Sequence, residues 1–267
     1  MNYVRAISKK YEKEGIPNFE QFLQEQLSKL NQGIKLNHAA LITYIKYRDF
    51  LIDLFSKLLE KNKEGKYQPE KILHNILFPS GEESDDSIRD YDKHNLWIID
   101  DRYSSYDYLA SNKYEGSISK QGREPDDKRY DILATYSDPL GEAYNVFIVE
   151  LKRTHEPLSV NNDPILQLKD YVHRIREGRI NRHNGKRINI TSNTCFYGFV
   201  ICDIYDSYFK SRMIEDHSLI KKPDEKSFHT VLLNGRLFVE VTNYENILEV
   251  AKVRNQIFIK KLHMKHE

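Results

Sequence analysis

Apolar residues early in the chain recur at intervals of three and four. Leu41, Tyr44, Ile45, Phe50, Leu51, Leu54, Phe55 and Leu58 make one such series, which predicts an amphipathic helix from Leu36 to Leu59, with another before it from Phe19 to Leu30. Asn31-Gln32-Gly33 separates the two as a helix stop. A shorter helix is expected from Pro69 to Leu77, where Ile72, Leu73, Ile76 and Leu77 form one stripe, Glu70 lies off it, and Phe78-Pro79 ends the run. Ser80 to Asp92 and Ser111 to Lys128 are polar and charged and read as surface loops. His94 to Ala110, dense in aromatic and acidic residues, reads as a short helix.

The period then changes from helical to alternating. Tyr130 to Tyr136 and Tyr144 to Lys152 are strand-like runs joined by a segment with Asp138-Pro139 and Gly141, so a hairpin is expected. Strand geometry puts Val146, Ile148, Glu150 and Lys152 on one face of the second strand and Phe147, Val149 and Leu151 on the other. A helix should follow, capped by Asn162 or Asp163, with Pro164 in its first turn, Ile165, Leu168, Tyr171, Val172 and Ile175 inward, and Gly178 closing it. Thr194 to Ile204 reads as a buried strand. Val231 to Leu233 and Leu237 to Val241 flank Asn234-Gly235, a hairpin signal, and Tyr244 to Leu262 is an amphipathic helix.

These elements predict an α/β fold with a mixed central sheet of about four or five strands flanked by helices. Residues 1–63 are expected to form an N-terminal helical extension and residues 64–267 the α/β domain. At 267 residues the chain is long enough for one large core with such an appendage. With 39% hydrophobic residues it can bury that core although 30% of its residues are charged.

The net charge of +1 supplies no overall field that would draw a polyanion, so any nucleic-acid site must come from local clustering. Cys195 and Cys202 are the only cysteines, too few for a four-thiolate zinc site, and both read as reduced residues. No segment approaches the roughly 18 uninterrupted apolar residues of a membrane span, and a soluble, cytoplasmic protein is expected. No G-x-x-x-x-G-K-[ST] run occurs, which argues against a P-loop nucleotide hydrolase.

Glu150 is the residue that changes the picture. A strand as apolar as Asn145 to Val149 would ordinarily avoid ending in an acid and a base on an inward face. Glu150 and Lys152 sit side by side there, and the neighbouring strand can bring Asp131 within bridging distance of a metal ion. Phosphodiester hydrolysis needs a divalent ion held by carboxylates, an activated water and positive charge near the developing phosphorane. Asp131 and Glu150 can supply the first and Lys152 the last. Hard oxygen ligands point to Mg2+, or Mn2+.

In type and order these residues resemble the PD-(D/E)XK nuclease superfamily: Asp131 on one strand, Glu150-Leu151-Lys152 on the next, and Gln167-Leu168-Lys169-Asp170-Tyr171 on the following helix. The sequence departs from the pattern at Tyr130, where proline is usual. The resemblance implies a restriction-endonuclease-like fold, metal-dependent cleavage of DNA, Gln167 orienting the site, and an acid on an earlier helix as a further metal ligand. Glu70 is the best positional match for that acid, with Asp100 or Asp101 as the alternative. Tyr171, Arg174, Arg179 and Lys186, on or after the active-site helix, are candidate nucleic-acid contacts.

A narrower similarity runs from about Leu41 to Leu262, carried by Leu73-His74-Asn75, Phe78-Pro79, His94-Asn95-Leu96-Trp97, Asp100-Asp101-Arg102 and Tyr171 to Arg176. It is to a nuclease-like C-terminal region of large bacterial ATP-binding proteins of the Hsp90/histidine-kinase type, some acting in phage defence. This similarity implies a defence effector with an ATPase partner, and nucleases of this fold often pair as homodimers. The competing reading is a catalytically inactive module of the same fold that binds nucleic acid or an ATPase. An HNH-type site at His94-Asn95 or His183-Asn184 lacks a second metal-binding histidine at suitable spacing.

Overall fold

The structure, a computed structural model, describes residues 41–61, 70–84, 93–111, 130–137, 141–153, 157–182 and 187–263. The expected helix from Phe19 to Leu30, most of the two polar loops, the turn at Asp138-Pro139 and the His183-Asn184 pair lie outside the described residues, as does the expected boundary between residues 63 and 64. The chain parts into two compact units, Leu51–Arg254, and Met1–Phe50 with Asn255–Glu267. In the smaller unit Asn255 Nδ2 donates to Asp49 Oδ1 at 3.2 Å, and the Arg48 guanidinium lies 5.7 Å from the ring centres of Tyr44 and Phe258.

The larger unit is α/β, and its sheet is longer than the expected four or five strands. Among the described residues eight strands line up in the order β1-β2-β3-β4-β5-β8-β7-β6. They are β1 Glu83–Ser84, β2 Tyr108–Ser111, β3 Ile132–Ser137, β4 Ala143–Leu151, β5 Ile190–Ile201, β6 Ile220–Lys221, β7 Ser227–Leu232 and β8 Leu237–Thr242. Strands β1 to β4 pair antiparallel in sequence order, β4, β5 and β8 run parallel, and β7 and β6 finish the sheet antiparallel. The sheet is therefore mixed, as expected. The extra strands come from the edges: β1 and β6 have two residues each, and β2 falls where a helix was expected. There the chain makes only 3-10 turns, Leu96–Ile98 and Asp101–Ser104, before entering β2. All four β2 residues are buried, so the strand shows no alternation to identify it.

The central strands are covered on both sides. Tyr108, Leu133, Val146, Ile148, Phe196, Val200, Val239 and Val241 pack with Ile165, Leu168, Tyr171, Val172 and Ile175 of helix α3 (Pro164–Arg176). On the opposite face Leu109, Ile132, Phe147, Val149, Leu151 and Ile201 pack with three helices: Phe55 of α1 (41–58), Leu73 and Leu77 of α2 (Glu70–Leu77), and Tyr244, Ile247 and Leu248 of α4 (Tyr244–His263). The face assignment expected from alternation along β4 is the one observed.

Local chemistry explains the element ends. Asp163 caps α3 with its carboxylate accepting from the N–H groups of Ile165 and Leu166 at 2.8 and 3.1 Å, and Pro164 needs no donor at the first position. Asp163 is in turn held by His217 Nε2 at 2.8 Å, both side chains being buried. Between β7 and β8, Leu233, Asn234 and Gly235 all have positive φ, so the Asn-Gly pair supplies a turn these residues tolerate. Trp97 is core, only 3% exposed. Cys202 is buried, Cys195 half-buried, and both are free. Among the described residues no helix is long and apolar enough to cross a membrane.

Gly198 sets the distance between α3 and the sheet. A Cβ built there would lie 2.5 Å from Leu168 Cδ1, closer than carbon atoms can approach. Gly198→Ala is expected to destabilise the protein by about 1–3 kcal/mol through overpacking. Adding Leu168→Ala, itself a cavity-forming change, should cost less in that background than alone, because the two sites share one space. Denaturant titration of the two single variants and the double variant checks this. Strictly additive effects would contradict the close contact.

Candidate active site

The strand pairing sets the geometry of the site. Ile132 pairs with Val149 in the antiparallel β3–β4 ladder, so continuing the register by one residue places Asp131 opposite Glu150. Alternation puts both with Leu133 and Ile148, on the face that α3 covers. The parallel ladder aligns Leu151 with Ile201, and Ile201 with Thr242. The carboxyl ends of β4, β5 and β8 are therefore level, and the acids lie at that end of the sheet, where open α/β sheets commonly bind ligands.

Asp131 Oδ2 accepts the Leu151 backbone N–H at 2.6 Å, and Lys152 Nζ donates to Glu150 Oε1 at 2.8 Å. Glu150 and Lys152 side chains are only 4% and 12% exposed. Among the described residues Glu150 Oε2 is buried with no hydrogen-bond partner. Burial raises the Asp131 pKa from 3.8 to about 6, against the opposing pull of the Leu151 N–H and the Lys152 charge. Glu150 is pushed well above the usual carboxylate range by burial and then by the charge of Asp131, which Lys152 only partly offsets. For Lys152, burial works against the ammonium, but the charge and hydrogen bond of Glu150 prevail and its pKa ends above the ordinary value.

Glu70, in the first turn of α2 and half-buried, adds its charge to the same centre, where Glu150, Lys152 and His74 all feel it. Four residues on, His74 Nε2 lies 3.0 Å from the Asp131 main-chain oxygen and 3.1 Å from Ser111 Oγ. A carbonyl oxygen can only accept, so Nε2 carries the proton. Burial keeps the ring's pKa below its ordinary value, and the neutral imidazole ties α2 to the turn that bears Asp131. The sequence reading used His74 only as part of a family resemblance. Its place four residues after Glu70 on one helix was the available signal.

Helix α3 delivers the next two expected residues. Tyr171 is buried, its ring meets Tyr130 edge-on at 6.3 Å, and burial followed by the charges of Glu150 and Asp131 raises its pKa strongly. Gln167 lies one turn earlier, and its Oε1 is buried without a hydrogen-bond partner among the described residues.

The basic run differs from its expected role as a phosphate surface. Arg174 is buried, with Nε 3.2 Å from Asp170 Oδ2; it is turned inward because the helix face it occupies is the one packed on the sheet. Arg182 is bound to Asp107 Oδ2 at 2.8 Å, and Arg176 lies over the Phe196 ring. Arg179 fits the expectation, since it is 57% exposed and its pairing with exposed Glu177 is weak in water, and Arg187 is exposed as well. Lys186 lies outside the described residues. Of the alternative acids, Asp100 caps a 3-10 turn by accepting from the Arg102 N–H at 2.8 Å, and Asp101 is exposed.

Among the described residues no three His, Cys, Asp or Glu side chains gather closely enough to hold a metal ion by themselves. The donor set nonetheless suits Mg2+, which binds through one or two carboxylates and keeps several waters. Half-buried Asp131 and buried Glu150 share one lysine, which is bonded to Glu150, and among the described residues Glu150 Oε2 has no partner. A cavity of about 300 Å³ past the ends of β5 and β8 is lined by Cys202, Asp203, Lys226, Asn243, Tyr244 and Asn246 among others, and none of Asp131, Glu150 and Lys152 lines it. No family model, curated protein or solved structure matches the chain.

The Asp131 shift fixes the sign of a pH effect. The folded protein holds this proton more tightly than the unfolded chain does, so the group favours folding at low pH. Through Asp131, metal-free stability should fall as pH rises from about 4 to about 6, and the raised Glu150 extends the fall to higher pH. Asp131→Asn keeps an acceptor for the Leu151 N–H but removes the charge. It should raise metal-free stability at pH 8 by about 1–3 kcal/mol, measured by denaturation in chelator across the pH range. A loss of stability at pH 8 would mark Asp131 as a structural residue.

Proposed function

We propose that the protein is a metal-dependent nuclease of the PD-(D/E)XK type that hydrolyses phosphodiester bonds in DNA. The observation that carries this reading is the pairing of Asp131 with Glu150 across two neighbouring strands, on one face, beside Lys152, with both acids held above their ordinary pKa. A buried charge excess of this kind costs stability and has no structural use. The element order supports the same reading: helix α2 with Glu70, hairpin β3–β4 with the acids and lysine, helix α3 with Gln167 and Tyr171, then the parallel strand β5. We take this core as restriction-endonuclease-like. The similarity to the C-terminal region of bacterial ATP-binding proteins supports a place in phage defence beside an ATPase partner.

In this reading Asp131 and Glu150 hold the ion, and Glu70 adds charge from α2. A bound Mg2+ supplies Lewis acidity toward the phosphodiester and lowers the pKa of an attacking water. The chain's residues prepare the place. The Leu151 N–H and the His74 bond to the Asp131 carbonyl fix the direction of the Asp131 carboxylate. Lys152 partly offsets the burial that disfavours an ionised Glu150 and would present an ammonium where negative charge grows on the phosphorane oxygens, the arrangement that lowers such barriers most. Gln167 Oε1, buried and unpartnered, can accept from a water or a substrate group entering under α3.

Mg2+ or Mn2+ should support cleavage of DNA, while Ca2+ should bind with little turnover because its looser coordination orients the water less well. Asp131→Ala, Glu150→Ala and Lys152→Ala should each lower the cleavage rate by on the order of 100-fold or more while the variants remain folded. Cleavage followed on labelled DNA, with circular dichroism on each variant, tests this. A wild-type chain that binds DNA but fails to cleave it with any of these divalent ions would instead support the inactive-module reading.

A further inference from the structure

Two buried amides each leave one polar end unused at the cavity past β5 and β8. Asn243 caps α4, its Oδ1 accepting the Asn246 N–H at 2.9 Å. That bond fixes the amide, so Nδ2 is the end turned away from the helix. Asn246 Nδ2 donates at 2.9 Å to Thr242 Oγ1, whose own proton goes to the Lys226 carbonyl at 3.1 Å. The Thr242 oxygen can then only accept from Asn246, which leaves Asn246 Oδ1 as the outward end. Both residues line the cavity, at 6% and 8% exposed. Among the described residues neither Asn243 Nδ2 nor Asn246 Oδ1 has a hydrogen-bond partner. The first turn of α4 therefore offers one donor and one acceptor, close together, beside an open space.

The rest of the lining narrows the chemistry of a ligand. Asp203, Glu245 and Glu249 lie around the cavity, and Lys226 is bonded to Glu249, so a phosphate there would meet net negative charge. A neutral ring with its own donor and acceptor suits the space better. A volume of about 300 Å³ is at the small end of small-molecule pockets, and exposed Tyr205 lines it with an aromatic face on which a base can stack. The edge of a nucleobase carries an adjacent donor and acceptor that complement the two amides, and enzymes acting on nucleic acid read unstacked bases in such pockets. The cavity also neighbours the acids. Val200 pairs with Glu150 on the face that α3 covers, and Cys202, two residues on and packed on that face, lines the cavity. Lys152 N donates to Ile201 O at 2.8 Å, so the strand bearing Glu150 and the chain leading into the cavity are one strand spacing apart, about 4.8 Å. We propose that the cavity takes a nucleobase of the substrate strand, from a nucleotide beside the cut, with Asn243 and Asn246 hydrogen-bonding its edge and Tyr205 stacking on its ring. This rests on the reading of Asp131 and Glu150 as a nuclease site.

The test uses the full chain with two probes. Saturation-transfer NMR with adenosine, cytidine, guanosine and thymidine reads contact with the base protons. Cleavage of DNA carrying one abasic site, moved stepwise along the strand, reads what each base contributes. Asn243→Asp keeps an acceptor for the Asn246 N–H and replaces the outward donor with an acceptor, while Asn193→Asp adds the same charge at an exposed position. Wild type and Asn193→Asp should show nucleoside contact that Asn243→Asp lacks, with the Tm of Asn243→Asp equal or higher because the acid sits at a helix N-terminus. On DNA, an abasic site at one position beside the cut should lower kcat/KM by about 10-fold in the wild type. Asn243→Asp should already have lost that factor on intact DNA and lose no more at that position. No nucleoside contact in the wild type, or equal contact in Asn243→Asp, would overturn the proposal. Nucleoside contact without any sensitivity to abasic position would also overturn it, marking a site for a free nucleoside. If the chain cleaves no DNA, the nuclease reading falls and the substrate strand with it, while the nucleoside comparison still decides whether the cavity holds a base.

Discussion

Two carboxylates, half-buried Asp131 and buried Glu150, stand opposite one another at the end of the β3–β4 hairpin, with the ammonium of Lys152 to offset them. In a low-dielectric setting two such charges repel strongly, and their pKa values rise until part of the charge is relieved. The surrounding structure keeps them together. The register of β3 and β4 fixes them face to face, and a slip of one residue would send one acid to the far side of the sheet. The Leu151 N–H and His74 hold Asp131 from two directions, and α3 closes the site from above at a distance set by Gly198.

Such a pair can persist only in a scaffold with stability to spare. Strand β4 is buried from Val146 to Leu151 on both faces, with helices on each side, the usual condition of the strands at the centre of an α/β sheet. Its parallel partner β5 and antiparallel partner β3 are equally covered along their inner halves. The acids thus sit at the end of the most constrained strands in the molecule, where their geometry is fixed and cannot relax by splaying apart. Rigid elements place such groups more reliably than loops do.

Much of this centre was legible in the sequence because it depends on local rules. Alternation gave the two faces of β4, the Asp-Pro and Gly turn gave the hairpin, and Asp163-Pro164 gave the start of α3. What sequence could not show depends on tertiary packing. Strand β2 is buried at every position and lost its period-two signature, and β1 and β6 are too short to have one. Arg174 looked like a surface cation because its neighbours in sequence are basic, yet its helix face is the packed one. His74 reaches the site from an element far from the hairpin, and only the fold brings it to the Asp131 carbonyl.

The central claim is that Asp131 and Glu150 form one divalent-ion site. Crystals of the protein grown with Mn2+ would test it directly through anomalous scattering. The account predicts a single strong peak bridging the Asp131 and Glu150 carboxylates, within about 2.0–2.6 Å of an oxygen from each. A peak elsewhere, or none at saturating Mn2+ with both carboxylates well ordered and Lys152 still bound to Glu150, would contradict it.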